Sequence, residues 1–286
     1  VEATVTLSVL TLVRNRQAHL DQLIAGLNRS IAAPAELIII DMSDRPISTP
    51  TARFPIRIER LPGERLPLAA ARNRSAALAQ GDQLLFLDVD CIAAGGTCGV
   101  VAGLLEAEDV VACPKVLYLP SGAARAAWTE AHLNQAGVAH PVRRFPAQGA
   151  RIETNPGLLW SLAFGMRRST FFAVGGFDEA FVGYGAEDTD LGFRVAKAGV
   201  PMVFTGDGAV YHQHHDAYDP PLQHFADLVA NARTFHHRWG VWPMDGWLAD
   251  MRAMGLIDWT SDDLRVLRPP TPEELAAAKR PSSAVF

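Results

Sequence analysis

Leu84-Leu85-Phe86-Leu87-Asp88-Val89-Asp90 is the stretch whose reading decides the fold. Four apolar side chains with no polar residue between them describe a strand buried on both faces. The run ends on carboxylates at i and i+2, which point the same way on an extended backbone. Carboxylates that close repel each other in a dry site unless a cation lies beside them. Their hard oxygens suit Mg²⁺ or Mn²⁺, ions that keep positions open for phosphate oxygens. A surface turn carrying two aspartates is the plainer reading; the buried strand directly before them favours a site.

The flanking sequence places this strand in a series. Residues 5–10 read as a β-rich strand, and Leu20, Leu23, Ile24 and Leu27 then recur at helical spacing. Leu37-Ile38-Ile39-Ile40 is a second apolar run that also ends on an aspartate, Asp41. Ile56 and Ile58 mark a short strand, the alanine-rich stretch 69–79 a helix closed by Gly81, and Val110-Val111-Ala112 a further strand. Such alternation predicts an α/β fold with a mostly parallel central sheet flanked by helices. Ligands of open α/β sheets bind beyond the carboxyl ends of the strands. Asp41, Asp88 and the Thr11-Leu12-Val13-Arg14-Asn15 segment all occupy such ends.

Residues 118–160 are broken by proline and glycine, apart from a helix expected near 123–133. Order returns at 171–177, followed by a helix at 191–198, a strand at 202–204 and a long helix at 222–239. Thr271-Pro272-Glu273-Glu274 carries an N-cap, a proline at the first helical position and a capping-box glutamate.

Two further groups carry chemistry. Gly183-Tyr184-Gly185-Ala186-Glu187-Asp188 follows Gly175-Gly176-Phe177-Asp178-Glu179 and opens a helix. The helix dipole explains one or two of the carboxylates at 187, 188 and 190, but not the flanking glycines and aromatics. One of them is then a general base for an attacking hydroxyl, Asp188 first and Glu187 second. Tyr211-His212-Gln213-His214-His215 follows the strand signal Ala209-Val210. A neutral imidazole there suits a borderline ion such as Mn²⁺. Six of the nine histidines lie between His212 and His237, and for most of them hydrogen-bonded packing is the expected role. His236-His237 belong on a helix face or at a subunit contact, so a homo-oligomer is compatible with the sequence.

The 286 residues carry 26 Lys+Arg against 31 Asp+Glu, a net charge of −5, which disfavours a general grip on nucleic acid. No transmembrane segment is expected, because no run of 18 apolar residues occurs. Val1-Glu2-Ala3-Thr4-Val5 lacks the regions of a signal peptide. Three cysteines, Cys91, Cys98 and Cys113, suit reduced thiols. The expectation is a cytoplasmic protein, free or peripheral at a membrane.

Taken together, these residues resemble the family-2 glycosyltransferases with the GT-A fold, over roughly residues 5–215. Thr11 to Asn15 resemble the first nucleotide-contacting loop, and Ile38-Ile39-Ile40-Asp41-Met42-Ser43-Asp44 the strand whose aspartate reads a uracil edge. Ala71-Arg72-Asn73-Arg74, then Gly81-Asp82 and Phe86-Leu87-Asp88-Val89-Asp90, are similar to the family's most specific stretch. Gly185-Ala186-Glu187-Asp188 also resembles the Gly-x-Glu-Asp element of galactosyl- and N-acetylgalactosaminyltransferases.

The resemblance implies a Mn²⁺- or Mg²⁺-dependent transfer of a sugar from a nucleotide-sugar donor, a UDP-hexose, to an acceptor hydroxyl on a glycan or small molecule. It implies donor contacts from Thr11, Val13, Arg14, Asn15, Asp41, Arg72, Asn73, Asp88, Val89 and Asp90. It further implies metal ligation by Asp90 and His212, with Asp88 on the ribose or on the metal through water, and His214 as an alternative ligand; the run of His212, His214 and His215 leaves three candidates for the imidazole. Trp160 and Gly185 fall on the acceptor side. Residues 1–240 form a single GT-A catalytic domain on this reading, about 1–117 the nucleotide-binding half and about 118–240 the acceptor half, with 241–286 a helical C-terminal extension. Trp239-Gly240-Val241-Trp242-Pro243 either covers the acceptor or packs. Three other readings compete. A sugar-phosphate nucleotidyltransferase would want a glycine-rich loop where Thr11 to Asn15 has no glycine. A catalytically inactive sugar- or nucleotide-binding module is disfavoured because every expected carboxylate is present, and a zinc hydrolase because no His-Glu-x-x-His occurs.

Overall fold

In the computed structural model, which describes residues 6–49, 51–63, 67–125, 127–281 and 283–284, strand and helix alternate from the start. β1 (Leu7–Val13), α1 (Gln17–Leu27), β2 (Glu36–Asp41), β3 (Ile56–Arg60), α2 (Leu68–Leu78) and β4 (Gln83–Leu87) follow the order of the apolar runs. β5 (Cys91–Ala93), α3 (Thr97–Ala107), β6 (Val111–Tyr118), α4 (Glu130–Ala136), β7 (Val138–Ala139), β8 (Ala150–Glu153) and β9 (Ala163–Arg167) come next. The chain continues through α5 (Arg168–Ala173), α6 (Glu187–Lys197), β10 (Met202–His212), α7 (Phe225–Trp239), α8 (Asp245–Ala253), β11 (Ile257–Trp259), β12 (Leu264–Val266) and α9 (Pro272–Ala278). Residues 1–5, including Val5 of the expected first strand and the stretch read against a signal peptide, lie outside the described residues.

The main sheet runs β3-β2-β1-β4-β9-β6-β10-β5. Its first four strands are parallel, and β6 is parallel to β10. β9 inserts antiparallel between β4 and β6, and β5 and β8 pair antiparallel with β10. The sheet is therefore mixed, parallel where the strand–helix alternation is regular. β9 escaped the periodicity because Ala163-Phe164-Gly165-Met166-Arg167 is not a β-branched run. Its glycine is required, since a Cβ on Gly165 would lie 2.4 Å from Val101 Cγ1 of α3.

Alternation along each strand divides the core. Val9, Ile39, Leu85 and Leu87 face Leu20, Leu23 and Ile24 of α1 and Val101 and Leu105 of α3. Leu10, Ile38, Ile40, Leu84 and Phe86 face Ala69 and Ala71 of α2, Phe171 of α5 and Leu191 and Val195 of α6. A third cluster, with Leu228, Leu248, Met251, Ile257, Leu264 and Ala278, joins α7 to the C-terminal elements. No helix among the described residues is long and apolar enough to cross a membrane. Cys91, Cys98 and Cys113 are buried and free.

The helix expected near 123–133 begins later, at Glu130, because Thr129 caps it by accepting from the His132 N–H. α9 forms where the capping box placed it: Thr271 and Glu274 each accept from the other's backbone N–H. α6 starts at Glu187, not 191, and presses against the turn at Pro156–Leu158. Gly192 allows that approach, since a Cβ there would lie 2.2 Å from the Pro156 carbonyl oxygen. Gly192→Ala is expected to destabilise the fold by about 1–3 kcal/mol through overpacking, read as a lower urea midpoint at unchanged slope.

Candidate active site

The turn after β4 carries Asp88, Val89 and Asp90 into β5, and it is closed by the Cys91 N–H donating to the Asp88 carbonyl at 2.9 Å. β5 pairs with β10 so that Cys91 lies opposite His212. The next N–H, of Gln213, donates to the Asp90 carbonyl at 2.6 Å. This register brings a histidine more than a hundred residues downstream to the Asp90 carboxylate. His212 Nε2 stands 3.5 Å from one Asp90 oxygen and His215 Nε2 3.4 Å from the other. Arg16 Nη1 also pairs with Asp90.

Asp90, His212 and His215 thus offer one oxygen and two nitrogens, all within 4.8 Å of one another. The chemistry of this set fits a divalent cation. His215 Nδ1 lies 2.8 Å from the Asp216 carbonyl oxygen, which can only accept. Nδ1 therefore carries a hydrogen, which leaves Nε2, the nitrogen that faces Asp90, as the one able to ligate. Burial outweighs the pull of Asp90 and pushes His212 down to about 4, so its ring is neutral at neutral pH. Burial alone would raise the Asp90 carboxyl, but His212, Arg16, His215 and His19 reverse this and hold it at about 2.

Asp88 is not part of that group. It faces Arg72 Nη2 at 3.4 Å, and burial pushes its carboxyl up to about 7 despite Arg72. Arg72, expected on donor phosphates, is itself buried and bonds Glu187 at 2.9 Å. Its guanidinium is thereby committed to joining two protein carboxylates. Glu187 is buried too, and burial followed by the neighbouring Asp188 raises its carboxyl. Asp188 is more accessible: Oδ2 accepts from the Ser161 N–H and hydroxyl at 3.1 and 3.3 Å, and Oδ1 from the Thr189 N–H at 2.7 Å. Ala186, before the two carboxylates, has φ 69°, a left-handed conformation uncommon for alanine.

Several other residues expected to contact the donor also bond within the protein. Asp41 is 0% exposed, and its oxygens accept from the Ser43 and Ile47 N–H groups, which shapes the loop after β2. Asn73 clamps the Gly176-Phe177 turn, donating to the Phe177 carbonyl and accepting from its N–H, both at 2.8 Å. Asn15, at φ 55°, stitches the loops after β1 and β2 through Ser43 and Asp44. Thr11, Arg72, Ser75 and Asp88 line one small crevice, and Val13 and Val89 are buried. Arg14 is half-buried.

Of the residues expected on the acceptor side, Trp160 meets His140 edge-on at 5.0 Å and donates to the Gly157 carbonyl. Gly185, at φ 99°, leaves room for Leu228. His214 presents its carbonyl to His19, and its ring is outside the Asp90 group. His224 stacks on Tyr184 and His236 on Trp242. Trp239 donates to Asp190, so both tryptophans of that segment pack.

Sequence reasoning left His215 as one of three candidate histidines and passed over Arg16 and Arg143. The last is 1% exposed, with no hydrogen-bond partner on any guanidinium nitrogen. Phe145, Trp160 and Phe204 cage it, with ring centres 5.1, 5.3 and 5.1 Å away. Burial pushes its guanidinium below the usual arginine range.

Comparison with known proteins places this geometry. The family described as "Glycosyl transferase family 2" matches residues 8–172. The chain belongs to that family. A second match, described as "N-terminal domain of galactosyltransferase", covers residues 157–216 of this family-2 chain and so includes Asp188, His212 and His215. Validoxylamine A glucosyltransferase of Streptomyces hygroscopicus subsp. limoneus is 28% identical over 255 residues, covering 74% of this chain and 53% of the relative. The family-2 chain thus spans about half the length of that relative. N-acetylglucosaminyl-diphospho-decaprenol L-rhamnosyltransferase of Mycobacterium tuberculosis is 44% identical over 62 residues, 21% of this chain and 20% of that one. Among solved structures, GalNAc-T7 with UDP, GalNAc and Mn²⁺ superposes at TM-score 0.53 and 17% identity, covering 74% of this chain and 43% of that one. S. aureus TarS 1–349 does so at 0.54 and 14%, covering 81% and 65%. These likenesses establish the GT-A fold.

Two predictions follow from the charges. Asp88 has a folded pKa raised above its unfolded value, so its ionisation costs stability as pH rises from about 4 to 7. With a chelator present, Asp88→Asn should gain stability relative to the parent over that window and hold the gain above it, read from urea melts. Arg143→Met removes, at similar length, a charge that burial disfavours and the aromatic rings only partly offset, so it should raise stability, read as a higher melting temperature.

Proposed function

We propose that this chain transfers a hexosyl group from a UDP-sugar to an acceptor hydroxyl, with inversion at the anomeric carbon. The observation that carries the reading is the Asp90–His212–His215 group at the strand ends, with Asp188 held at the start of α6 in the same acidic region. Family membership, relatives named glucosyltransferase and rhamnosyltransferase, and a fold shared with a protein crystallised with UDP and Mn²⁺ support it.

Asp90, His212 and His215 would hold the cation, Mn²⁺ in preference to Mg²⁺ because two of the three donors are nitrogens. When bound, it supplies neutralisation of the charge that grows on the departing diphosphate. The chain's own residues do the rest. Asp188 accepts the acceptor's hydroxyl proton while that oxygen bonds to the anomeric carbon. The carbon–oxygen bond to the β-phosphate breaks, and the nucleoside diphosphate leaves with the electron pair. A single displacement from the opposite face gives inversion, through an oxocarbenium-like state of the kind known in glycoside hydrolysis. Ser161 and Thr189 donate to Asp188 and hold its carboxylate in one orientation. Glu187 and Arg72 do not touch substrate in this scheme; they fix the start of α6 against the turn after β4. The division into a donor half, about 1–117, and an acceptor half, about 118–240, follows from the same assignment.

The test is Asp188→Asn with UDP-sugars and Mn²⁺. Turnover, or slow donor hydrolysis, should fall by about 10²–10⁴-fold, while UDP affinity by calorimetry stays unchanged. A fully active variant overturns the base. Loss of UDP binding would instead make Asp188 a donor contact.

A further inference from the structure

The C-terminal segment reaches back to the cation group. α9 is anchored at its start by the capping box and by Arg268, whose two Nη atoms each lie 2.7 Å from Glu274. At its end Ala278 is buried in the cluster with Leu222 and Leu256. The chain then pairs antiparallel with the segment that follows His215. Lys279 bridges Tyr218, the Asp219 N–H donates to the Ala278 carbonyl at 2.9 Å, and the Arg280 N–H donates to the Ala217 carbonyl at 2.8 Å. Two ion pairs flank this bridge, Lys279–Asp216 at 2.7 Å and Arg280–Asp219 at 2.9 Å.

On its other side, the same segment is tied to the body of the sheet. The Gln213 N–H donates to Asp90, its side chain donates to the His19 carbonyl at 3.1 Å, and His19 Nε2 lies 3.4 Å from the His214 carbonyl. His215 sits between these two attachments. Its tautomer depends on the Asp216 carbonyl, and Asp216 is the residue that Lys279 holds.

We propose that residues 278–280 are a strap that positions His215 for the cation, making Lys279 and Arg280 positioning residues of that site. The proposal rests on the cation reading above. Exposed ion pairs contribute little individually, about 0–1 kcal/mol. The strap acts through the two backbone hydrogen bonds, the buried Ala278 and the hold of Lys279 on Asp216, which a glutamate there would turn into repulsion; together they spare the 216–219 segment the entropy of ordering when a ligand arrives.

The experiment measures Mn²⁺ dissociation constants by electron paramagnetic resonance on the full chain without nucleotide. Arg280→Pro deletes the N–H donor to Ala217 and the pair with Asp219, and Lys279 at ψ 121° already suits the residue before a proline. It should weaken Mn²⁺ binding about tenfold, the low end of the effect of groups that orient metal ligands. It should weaken it no further in a His215→Ala background. Lys279→Glu, a surface change that leaves the core intact, should weaken binding a few-fold. Simple attraction by the added negative charge would tighten it instead. Unchanged or tighter binding in Lys279→Glu, or an equal loss from Arg280→Pro with and without His215, overturns the strap. If the parent chain shows no Mn²⁺ binding that His212→Ala reduces, the cation reading fails first, and the strap with it.

Discussion

The buried guanidinium of Arg72 reaches Glu187 at 2.9 Å and Asp88 at 3.4 Å, and the rest of the site depends on that bridge. Asp88 ends the central parallel strand, whereas Glu187 opens a helix a hundred residues later. Bringing both into one poorly hydrated region costs free energy that only a buried cation can offset. α2 supplies it, and its alanines Ala69 and Ala71 let the helix lie close on β1 and β2. The same bridge orients the first turn of α6 and, with it, Asp188.

Asp90 follows a different logic two residues on. Its partners are Arg16 and imidazoles, one of which burial keeps neutral. A neutral imidazole is a ligand, not a counter-ion, so charge balance at this pole is left to Arg16 or to an exogenous cation. Arg16 is 36% exposed at its side chain and belongs to the loop after β1, so it is the more replaceable of the two. The pair Asp88 and Asp90 is thus split by its surroundings: the first carboxyl is pushed up and faces Arg72, and the second, the less exposed of the two, is held down among Arg16 and the imidazoles. The net charge of −5 conceals this local arrangement.

The parts of the fold that were legible in the sequence are those where one local rule governs. Continuous apolar runs gave β2 and β4 together with their terminal aspartates, and the capping box gave α9. β9 and α3 were not legible. One is a short strand containing Gly165, and the other holds two glycines in Thr97–Ala107, where helix propensity is poor and tertiary packing decides. In the site, Asp90 with His212 was legible through the order of motifs. His215 was legible only as one of three candidate histidines, because its position depends on how the chain turns after β10. That Arg72 and Asn73 also bond within the protein was not legible, because α2, being alanine-rich, has almost no apolar stripe to say which face is buried. Arg16 and Arg143 lie in irregular stretches where no period marks a basic residue.

Glu187, Asp188 and Asp190 show how far such a motif can be read. On a helix, successive residues rotate by about 100°, so Glu187 and Asp190, about 60° apart, share one side and Asp188 faces another. Glu187 turns to Arg72 in the interior. Asp190, fully buried, is held by Arg194 at 2.8 Å, Arg238 at 2.7 Å and the Trp239 N–H at 2.9 Å, which ties α6 to α7. Both are committed to protein partners. Asp188, about 100° from the first and about 160° from the second, accepts from Ser161 and Thr189, groups that leave a carboxylate able to accept one more proton donor. The motif concentrates acid at a helix start. Helical phase then selects which acid keeps acceptor capacity free, as the proposed base must, and the partners of the other two hold that helix start in place.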